Sequence, residues 1–247
     1  MKKMVLFFII LLPSYTFSQS VMKIVYFDNY PPFSWKDANK MNGILIDVLN
    51  EAIEKRMKIP ISHKGYPWAR AQKLVKHGLA DAFVTVPTPA RKEYTLISNE
   101  TVILATFNLF VKVGNPIIEE LKKVKEISEL KKYNVGSYIG SGWFKKNFID
   151  KGIPGDLAPS LDMVLNKLIN ERIDVFIDTS QVIRFRIKKL GYKKEIVELP
   201  NVLDSATFNL CIGKKSFYTN ILSEFDKTLI KMKSDGSLKK IYDKYGQ

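Results

Sequence analysis

The strongest constraint on the fold is an alternation of strand-like and helix-like stretches, which runs twice along the chain. The first run contains the β-branched and aromatic segment 22–27, a helical pattern from Gly43, a strand-like segment at 61–68, a helix at 69–78 and a strand-like segment at 81–86. Strands that alternate with helices pair in parallel, and the helices pack on the resulting sheet. This order therefore predicts an α/β unit.

The same order begins again in the second half of the chain. Residues 134–140 and 173–178 are strand-like, a helical pattern follows Ser160, and a second helix is predicted over 180–190. A long helix is predicted over 216–233. With 247 residues, the chain is long enough for two such units, each with its own core.

The pentapeptide ATFNL occurs twice, at residues 105–109 and again 101 residues later at 206–210. The flanking residues differ and there is no third copy, which argues against a short-period repeat protein. Both copies lie in apolar, strand-like runs. We interpret them as two strands with one role, in which the chain leaves the first unit through one copy and returns through the other. The two strands would then run side by side as a hinge.

The first 20 residues, MKKMVLFFIILLPSYTFSQS, have the pattern of a signal peptide. A basic start is followed by the apolar run 4–12 and then by small and polar residues. We expect a signal peptide over residues 1–18, with cleavage as late as residue 20. The apolar run is shorter than the roughly 20 residues that span a bilayer, although an uncleaved membrane anchor remains the alternative.

Cys211 is the only cysteine, so the chain has no intrachain disulfide. No cysteine lies near the expected cleavage site, which argues against a lipid anchor. An oxidising compartment permits disulfides without requiring them. We therefore expect an exported, monomeric protein of the bacterial periplasm that is not lipid-anchored.

The net charge is +14, or +12 without the two lysines of the leader. Such a charge suits nucleic acid or an anionic membrane. The lysines are spread over the predicted helices, however, and there is no arginine-rich block. We interpret the charge as a solvated surface and expect no nucleic-acid partner.

Four motifs, in the right order, resemble the bacterial extracellular solute-binding proteins of family 3, the polar-amino-acid type. The resemblance covers residues 22–247. YPPFSW with NGILIDVLNEAIEK is similar to the family's Y-x-P-F loop and G-x-x-x-D-L helix, ADAFVTVPTPARKEYTLIS to A-D-A…T-x-E-R…F-S, ERIDVFID to G-R-V-D-A-x-x-x-D, and MKSDGSLKKIYDKYG to K-x-D-G-T-L-x-x-I-x-x-K-Y-G.

The resemblance implies an α/β, two-lobed clamshell of the type II periplasmic-binding-protein kind, with two crossover hinge strands. Lobe 1 would comprise residues 22–108 and 209–247, and lobe 2 residues 109–208. A small carboxylate-bearing ligand, an amino acid or a related compound, would lie in the cleft between the lobes for delivery to an ABC transporter. Closure would be a hinge motion, and no cofactor is implied.

Two charged residues match the family's ligand-binding positions. Arg91 ends a T-x-x-R motif whose arginine grips the ligand α-carboxylate, because a planar guanidinium makes two parallel hydrogen bonds. The alternative is a surface arginine near a short helix. Thr88 of the same motif is either a further donor or the cap of that helix. Asp178 matches the carboxylate that meets the ligand ammonium, and it also suits the N-cap of the helix at 180–190.

Four other residues are expected at the ligand. Tyr30 occupies the position of the family aromatic that covers the ligand side chain, and Trp68, at the end of a predicted strand, is expected to line the pocket. Either ring would alternatively belong to the core. Ser141 and Gly142 precede a helix whose backbone N–H groups suit an anion, although a plain turn has the same pattern.

The sequence departs from the family pattern between Asp81 and Arg91. This stretch is shorter than in the amino-acid binders, and residues 84–87 replace the glycine–serine positions that hydrogen-bond the ligand. Arg91 therefore indicates a carboxylate more firmly than Asp178 indicates an amine.

Two other functions stay open at this point. A cyclohexadienyl dehydratase uses the same fold and needs only a placed carboxylate and a base, and turnover of a cyclohexadienyl acid would identify it. We nevertheless expect no enzyme, since there is no G-x-S-x-G motif and His63, His77 and Cys211 are far apart in the sequence. A periplasmic sensor that docks to a membrane receptor needs the same clamshell, and a neighbouring permease gene would favour transport over sensing.

Overall fold

The structure is a computed structural model that describes residues 20–139 and 141–246. The signal peptide predicted at residues 1–18 lies outside the described residues. Within the described ranges, no helix is both long enough and apolar enough to cross a membrane.

Lobe 1 is built from the first α/β unit and from the C-terminal helices of the chain. Its helices pack on a parallel sheet, with a small three-stranded sheet beside it. The elements are β1 (Met22–Phe27), β2 (Asn29–Tyr30), β3 (Ser34–Asp37), β4 (Lys40–Asn42), α1 (Ile44–Leu49, followed by a π-helix over Asn50–Arg56), β5 (Ile61–Tyr66), α2 (Trp68–Lys76), β6 (Ala82–Thr85), α3 (Pro89–Lys92), a 3-10 turn (Thr219–Ile221), α8 (Leu222–Ser234) and α9 (Ser237–Lys244).

Lobe 2 is the second α/β unit, and two long strands connect it to lobe 1. The connecting strands are β7 (Thr95–Lys112) and β11 (Ile196–Gly213). The elements of lobe 2 are α4 (Ile118–Leu121), β8 (Val135–Tyr138), α5 (Gly142–Asn147), β9 (Asp156–Ala158), α6 (Leu161–Ile169), β10 (Val175–Thr179) and α7 (Ser180–Leu190), with 3-10 turns at Ile127–Lys132, Ile149–Lys151 and Tyr192–Lys194.

One sheet of eight strands runs through both lobes, in the order β5-β1-β6-β11-β7-β10-β8-β9. β1 is parallel to β5 and β6 in lobe 1, and β8 is parallel to β9 and β10 in lobe 2. The two connecting strands lie in the middle and are antiparallel. The predicted two-lobed α/β fold with two crossover strands is therefore confirmed.

The two ATFNL copies lie in these crossover strands and extend in opposite directions from their pairing point, where Ala105 faces Ala206. Phe107 of the first copy stacks on Trp143 of lobe 2, with ring centroids 4.3 Å apart. Phe208 of the second copy stacks on Phe33 of lobe 1 at 5.1 Å. The repeated pentapeptide therefore fills one structural role twice, once toward each lobe.

The core of lobe 1 is closed by the C-terminal helices. Phe225, Leu229 and Met232 of α8 are fully buried in the same cluster as the apolar face of α1. Gly43, just before α1, has a φ of 130°, and a Cβ there would lie 2.3 Å from the carbonyl oxygen of Phe33. Only glycine fits at this entry to the helix.

Three local predictions were wrong. Trp68 is the first residue of α2 and does not end a strand, because Pro67 follows β5 and serves as the N-cap residue of the helix. The YPPFSW stretch, expected to be a loop from its similarity to the family's Y-x-P-F loop, contains the end of β2 and the start of β3, and these strands are too short to give a period-two signal. The helix predicted from residue 216 begins at Leu222, after a 3-10 turn.

Candidate functional site

A cavity of about 320 Å³ lies at the carboxyl ends of β1 and β6. Ligands of open α/β sheets bind at this end of the strands, and the volume is at the small end of the range for ligand pockets. The cavity reaches the crossover strands, because Phe208 of β11 is part of its wall. Its other apolar walls come from Tyr26, Phe27, Tyr30, Trp68, Leu45, Val84 and Val86, and its polar groups from Ser34, Thr85 and Arg91.

Arg91, the last-but-one residue of α3, is half-buried at this cavity. Its Nε donates to Gln72 Oε1 at 3.1 Å, and its Nη1 donates to the carbonyl oxygen of Val86 at 2.7 Å. The guanidinium carbon lies 5.1 Å from the ring centroid of Trp68. Burial lowers the pKa of Arg91, and no described carboxylate forms an ion pair with it. The guanidinium is therefore held in place, with its Nη2 donors available to an anion.

Stacked aromatic rings form one side of the cavity. Tyr30, at the end of β2, stacks on Phe27 at 6.1 Å and on Phe33 at 5.1 Å, and Phe33 in turn stacks on Phe208 at 5.1 Å. Trp68 comes from the cluster on the other face of the sheet, where its ring meets Phe83 edge-on at 5.4 Å. The structure thus places Tyr30 and Trp68 in one cavity with Arg91.

Asp178 lies in β10 at the carboxyl end of the lobe 2 sheet and is only 8% exposed. Its Oδ1 accepts a hydrogen bond from the backbone N–H of Thr179 at 2.6 Å. Its side chain also interacts with the hydroxyl groups of Thr179 and Tyr138. Burial raises the pKa of Asp178 to about 6, while these hydrogen bonds oppose the shift. The N-cap residue of α7 is Thr179, so the N-cap alternative for Asp178 is wrong.

Tyr30 connects the two halves of the site. Its hydroxyl interacts with the side chain of Thr179 across the cleft, and the nearby charge of Asp178 adds to the effect of burial in raising the pKa of Tyr30 to about 12. Tyr30 lines the cavity, whereas Asp178 lies near Tyr30 and does not itself line it. Tyr30 therefore connects the cavity that holds Arg91 to the carboxyl group of lobe 2.

The other three predicted residues lie apart from this cavity. Thr88 is the N-cap residue of α3, but it acts through its backbone carbonyl, which accepts from Arg91 and Lys92 at 3.0 Å, and not through its hydroxyl. Ser141 caps α5 by accepting a hydrogen bond from Phe144 N at 3.3 Å, and Gly142 is exposed beside it. Their contact with a ligand stays a prediction.

Sequence reasoning missed Tyr138, Thr179, Phe208 and Gln72. Tyr138 and Thr179 end the parallel strands β8 and β10, and this position alone makes a residue a candidate for ligand contact. Phe208 belongs to the second ATFNL copy, and the sequence does not indicate which residues this phenylalanine contacts. Gln72 carries no sequence signal, since its role depends on the position of Arg91.

The side chains of His63 and Cys211 make contacts within the fold of lobe 1. His63 lies between the Tyr26 hydroxyl at 2.8 Å and Asn50 Oδ1 at 2.7 Å, and burial lowers its pKa to about 4. Burial raises the pKa of the Cys211 thiol to about 12, so the thiolate needed for nucleophilic attack is disfavoured. In the described part of the chain, no group of three His, Cys, Asp or Glu side chains is placed to hold a metal ion.

Comparison with known proteins agrees with this geometry. Residues 22–247 match the family profile of the bacterial extracellular solute-binding proteins, family 3. The chain belongs to this family. It is therefore a solute-binding protein, and the predicted family is confirmed.

Relatives of known name or structure cover most of the chain. The probable amino-acid-binding protein YxeM of Bacillus subtilis (strain 168) is 24% identical over 219 residues, which span 87% of this chain and 79% of that protein. The second substrate binding domain of a putative amino acid ABC transporter from Streptococcus pneumoniae Canada MDR_19A superposes with a TM-score of 0.71, 20% identity, and coverage of 91% and 99% of the two chains.

A third similar structure is described as the precursor of an enzyme. The ancestral amino acid-binding protein AncCDT-1, described as a precursor of cyclohexadienyl dehydratase, superposes with a TM-score of 0.63 and 21% identity, over 92% of this chain and 96% of that one. At these identities the structural likeness establishes the fold. It agrees with the type II clamshell expected from the sequence.

Proposed function

We propose that this protein captures an amino acid, or a closely related carboxylate, between its two lobes and delivers it to an ABC transporter. The observation that carries the proposal is the position of Arg91. Its guanidinium is half-buried in a mostly apolar cavity, is fixed by Gln72 and Val86, and has no carboxylate partner among the described residues. A buried cation without a partner is costly, so the site is suited to an incoming anion.

The ligand would bridge the two lobes through its own two charges. Its carboxylate accepts charge-assisted hydrogen bonds from Arg91, each of which contributes about 1.5–3 kcal/mol. Its ammonium group meets Asp178, and this contact favours the ionised carboxylate. Because each contact is made to a different lobe, the ligand binds the closed state more tightly than the open one.

In this proposal the clamshell is divided at the domain limits predicted from the sequence. Lobe 1 comprises residues 22–108 and 209–247, and lobe 2 comprises residues 109–208, with hinge bending in the crossover strands. The protein acts as a monomer in the periplasm after removal of its leader. The YxeM relative, named as amino-acid-binding, and the pneumococcal domain, named for an amino acid ABC transporter, support the ligand class and the transporter.

Catalysis is the second candidate function, and one observation favours it. Asp178 is buried with a pKa near 6, which suits a general acid or base near neutral pH, and AncCDT-1 is described as a dehydratase precursor. We propose binding without turnover. Release of product from a cyclohexadienyl acid by the purified protein, lost in Asp178→Asn, would instead favour the enzyme.

Thermal unfolding of the full chain against a panel of amino acids and simple organic acids tests the proposal. Ligand at 100 times its Kd adds about 2.7 kcal/mol, and each kcal/mol moves the Tm by roughly 2–4 °C. We expect a clear shift with one compound class, which Arg91→Ala abolishes.

Arg70→Ala is the matched control. Arg70 also lies over a ring of lobe 1, with its guanidinium carbon 5.0 Å from the Tyr66 centroid, but it does not line the cavity. This variant should keep the shift. A folded protein that shows no shift with any compound would contradict the proposal, and so would a shift that survives in Arg91→Ala.

A further inference from the structure

We propose that the ligand has a neutral, apolar side chain, aromatic in preference to aliphatic, and that the cavity excludes cationic side chains. The inference deepens the proposed function and rests on it. Three observations support it: the lack of acidic residues in the cavity wall, the fixed position of Arg91, and the aromatic rings that line the cavity.

The wall offers no anionic partner to a cationic side chain. No described residue that lines the cavity is acidic. The hydroxyl of Ser34 is already used, since it donates to the carbonyl oxygen of Phe27 at 2.7 Å. A lysine or arginine side chain of a ligand would therefore lose its water without gaining an ionic partner.

A positive charge already occupies this space. The Arg91 guanidinium lies against the Trp68 ring and is hydrogen-bonded to Gln72 and Val86, so it cannot swing away without breaking these bonds. The Trp68 ring thus already faces a cation. A second cation near it would meet repulsion, which a partly buried site screens poorly.

The carboxyl group of Asp178 does not line the cavity and already has hydrogen-bond donors of its own. Asp178 accepts from Thr179 N–H and interacts with the Tyr138 hydroxyl at the lobe 2 edge, where the ligand ammonium is proposed to lie. A zwitterion with a cationic side chain carries two positive groups, and the proposed function assigns one carboxyl group, that of Asp178, to the first of them.

The aromatic rings that line the cavity come from both faces of the sheet. Phe27, Tyr30, Phe33 and Phe208 form a ladder of stacked rings with centroid spacings of 5.1–6.1 Å. Trp68 belongs to the cluster on the opposite face. Ring stacking adds to the gain from area burial, so a flat apolar side chain gains more here than a branched one.

Calorimetric titration of the full chain with L-phenylalanine, L-leucine, L-lysine and L-arginine tests the inference. We expect L-phenylalanine to bind roughly 10- to 100-fold more tightly than L-lysine or L-arginine, with L-leucine in between. Trp68→Ala should reduce this ratio. The exposed aromatic residue Phe217, outside the cavity and 84% exposed, gives the control Phe217→Ala, which should keep it.

A charge-matched pair isolates the electrostatic part. Phe27→Glu and Phe27→Gln remove the same ring at a half-exposed position of the wall, and only the first adds a carboxylate. We expect L-lysine to bind more tightly to the Glu variant than to the Gln variant, with folding checked by circular dichroism.

The outcomes separate the two proposals. Binding of L-lysine or L-arginine at least as tight as that of L-phenylalanine, and dependent on Arg91, would overturn this inference and leave the proposed function standing. Equal L-lysine affinity in the two Phe27 variants would also overturn it. Failure of every amino acid and organic acid to bind would overturn both.

Discussion

At Asp178, the protein buries a carboxyl group at the end of β10 without a described cationic partner. At Arg91, it half-buries a guanidinium without a described anionic one. Arginine stays charged in proteins despite a lowered pKa, whereas a carboxyl group with a pKa near 6 changes its charge near neutral pH. The positive charge of Arg91 in lobe 1 is therefore permanent, whereas a ligand can induce the negative charge of Asp178 in lobe 2.

Asp178→Asn should raise the stability of the ligand-free protein at pH 7.5 and leave it nearly unchanged at pH 4. The carboxyl pKa is about 6 in the folded chain against an ordinary 3.8, so between these values the folded state keeps a proton that the unfolded state loses. The free energy of unfolding contributed by Asp178 therefore falls as pH rises through this window. Urea denaturation of both proteins at several pH values measures the difference, and equal stability at pH 7.5 would contradict the assignment.

The same carboxyl group should make amino-acid binding depend on pH. Below pH 6 the free protein must lose a proton from Asp178 before it can pair with an ammonium group. We expect affinity to fall about tenfold between pH 7 and pH 5 in the wild type. The fall should be absent in Asp178→Asn, and calorimetry in matched buffers would show a persisting fall if another group were responsible.

His63 should act in the opposite sense. Its folded pKa is about 4 against an ordinary 6.5, so the unfolded state takes up a proton first as pH falls. As the pH decreases from 6.5 to 4, the contribution of His63 to the free energy of unfolding therefore decreases. The contribution of Asp178 increases over much of the same range. His63→Gln should show a smaller acid-induced loss of stability than the wild type in urea denaturation. An unchanged pH slope would contradict this prediction.

At the scale of the elements, each of the two crossover strands has an asparagine side chain that donates to backbone carbonyl groups of the other strand. Asn209 donates through Nδ2 to the carbonyl oxygens of Ser98 at 3.0 Å and Glu100 at 3.2 Å, and Asn108 donates to that of Leu199 at 3.2 Å. Each contact lies where the register of β7 and β11 shifts. The two asparagines thus supply donors to carbonyl groups at the irregular parts of the ladder.

Asn209→Leu and Asn108→Leu should each destabilise the protein, because each removes the side-chain donor of one backbone carbonyl, that of Ser98 or that of Leu199, while the Ser98 hydroxyl still donates to the carbonyl of Glu100 at 2.9 Å. Each buried unpaired group costs about 1–3 kcal/mol, and each kcal/mol lowers the Tm by roughly 2–4 °C. The exposed neighbour Thr207 provides the control, Thr207→Ala, which should stay close to the wild type. Thermal unfolding measures the Tm of each variant, and a Tm of either leucine variant equal to that of Thr207→Ala would contradict the role of these asparagines.

The sequence predicted the elements that carry a strong period, and α7 at 180–190 matches the structure residue for residue. Helices of nine residues or more show their buried face in the sequence, as α6 does. β2 and β3 are too short for such a pattern. The pairing of the ATFNL copies was predictable because it needed only a topological argument, whereas the bulges opposite Asn108 and Asn209 depend on register, which composition does not encode.

Part of the site was also predictable, from the topology of the chain. Arg91, Tyr30 and Trp68 meet in one cavity because loops at the carboxyl ends of parallel strands converge. Ser141 and Thr88 belong to short helices whose N-termini point according to local packing, and the sequence does not state that direction.

At the scale of the whole molecule, a few contacts connect the two lobes across the cleft. Trp35 of β3 meets Phe185 of α7 with ring centroids 5.7 Å apart, and Gln181 Nε2 donates to the carbonyl oxygen of Leu104 at 2.9 Å. Tyr30 and Thr179 add a further contact. These contacts involve few residues, so the balance between open and closed states is sensitive to each of them.

Phe185→Ala should shift the ligand-free protein toward the open state. An aromatic pair contributes about 0.5–1.5 kcal/mol beyond area burial, which corresponds to roughly 2- to 10-fold weaker ligand affinity. Phe185 does not line the cavity, so the loss would come through closure. Small-angle X-ray scattering should show a larger radius of gyration for the variant without ligand. An unchanged radius and affinity would contradict the assignment of this contact to closure.

The central claim is that Arg91 of lobe 1 and Asp178 of lobe 2 hold the two ends of one zwitterion. The most direct measurement is a calorimetric comparison of three compounds: the amino acid with the largest thermal shift, the acid that lacks its amino group, and the amine that lacks its carboxylate. We expect the wild type to prefer the intact amino acid, Arg91→Ala to lose its preference over the amine, and Asp178→Asn to lose its preference over the acid. If deletion of the carboxylate costs as much affinity in Arg91→Ala as in the wild type, Arg91 does not bind it and the account is wrong.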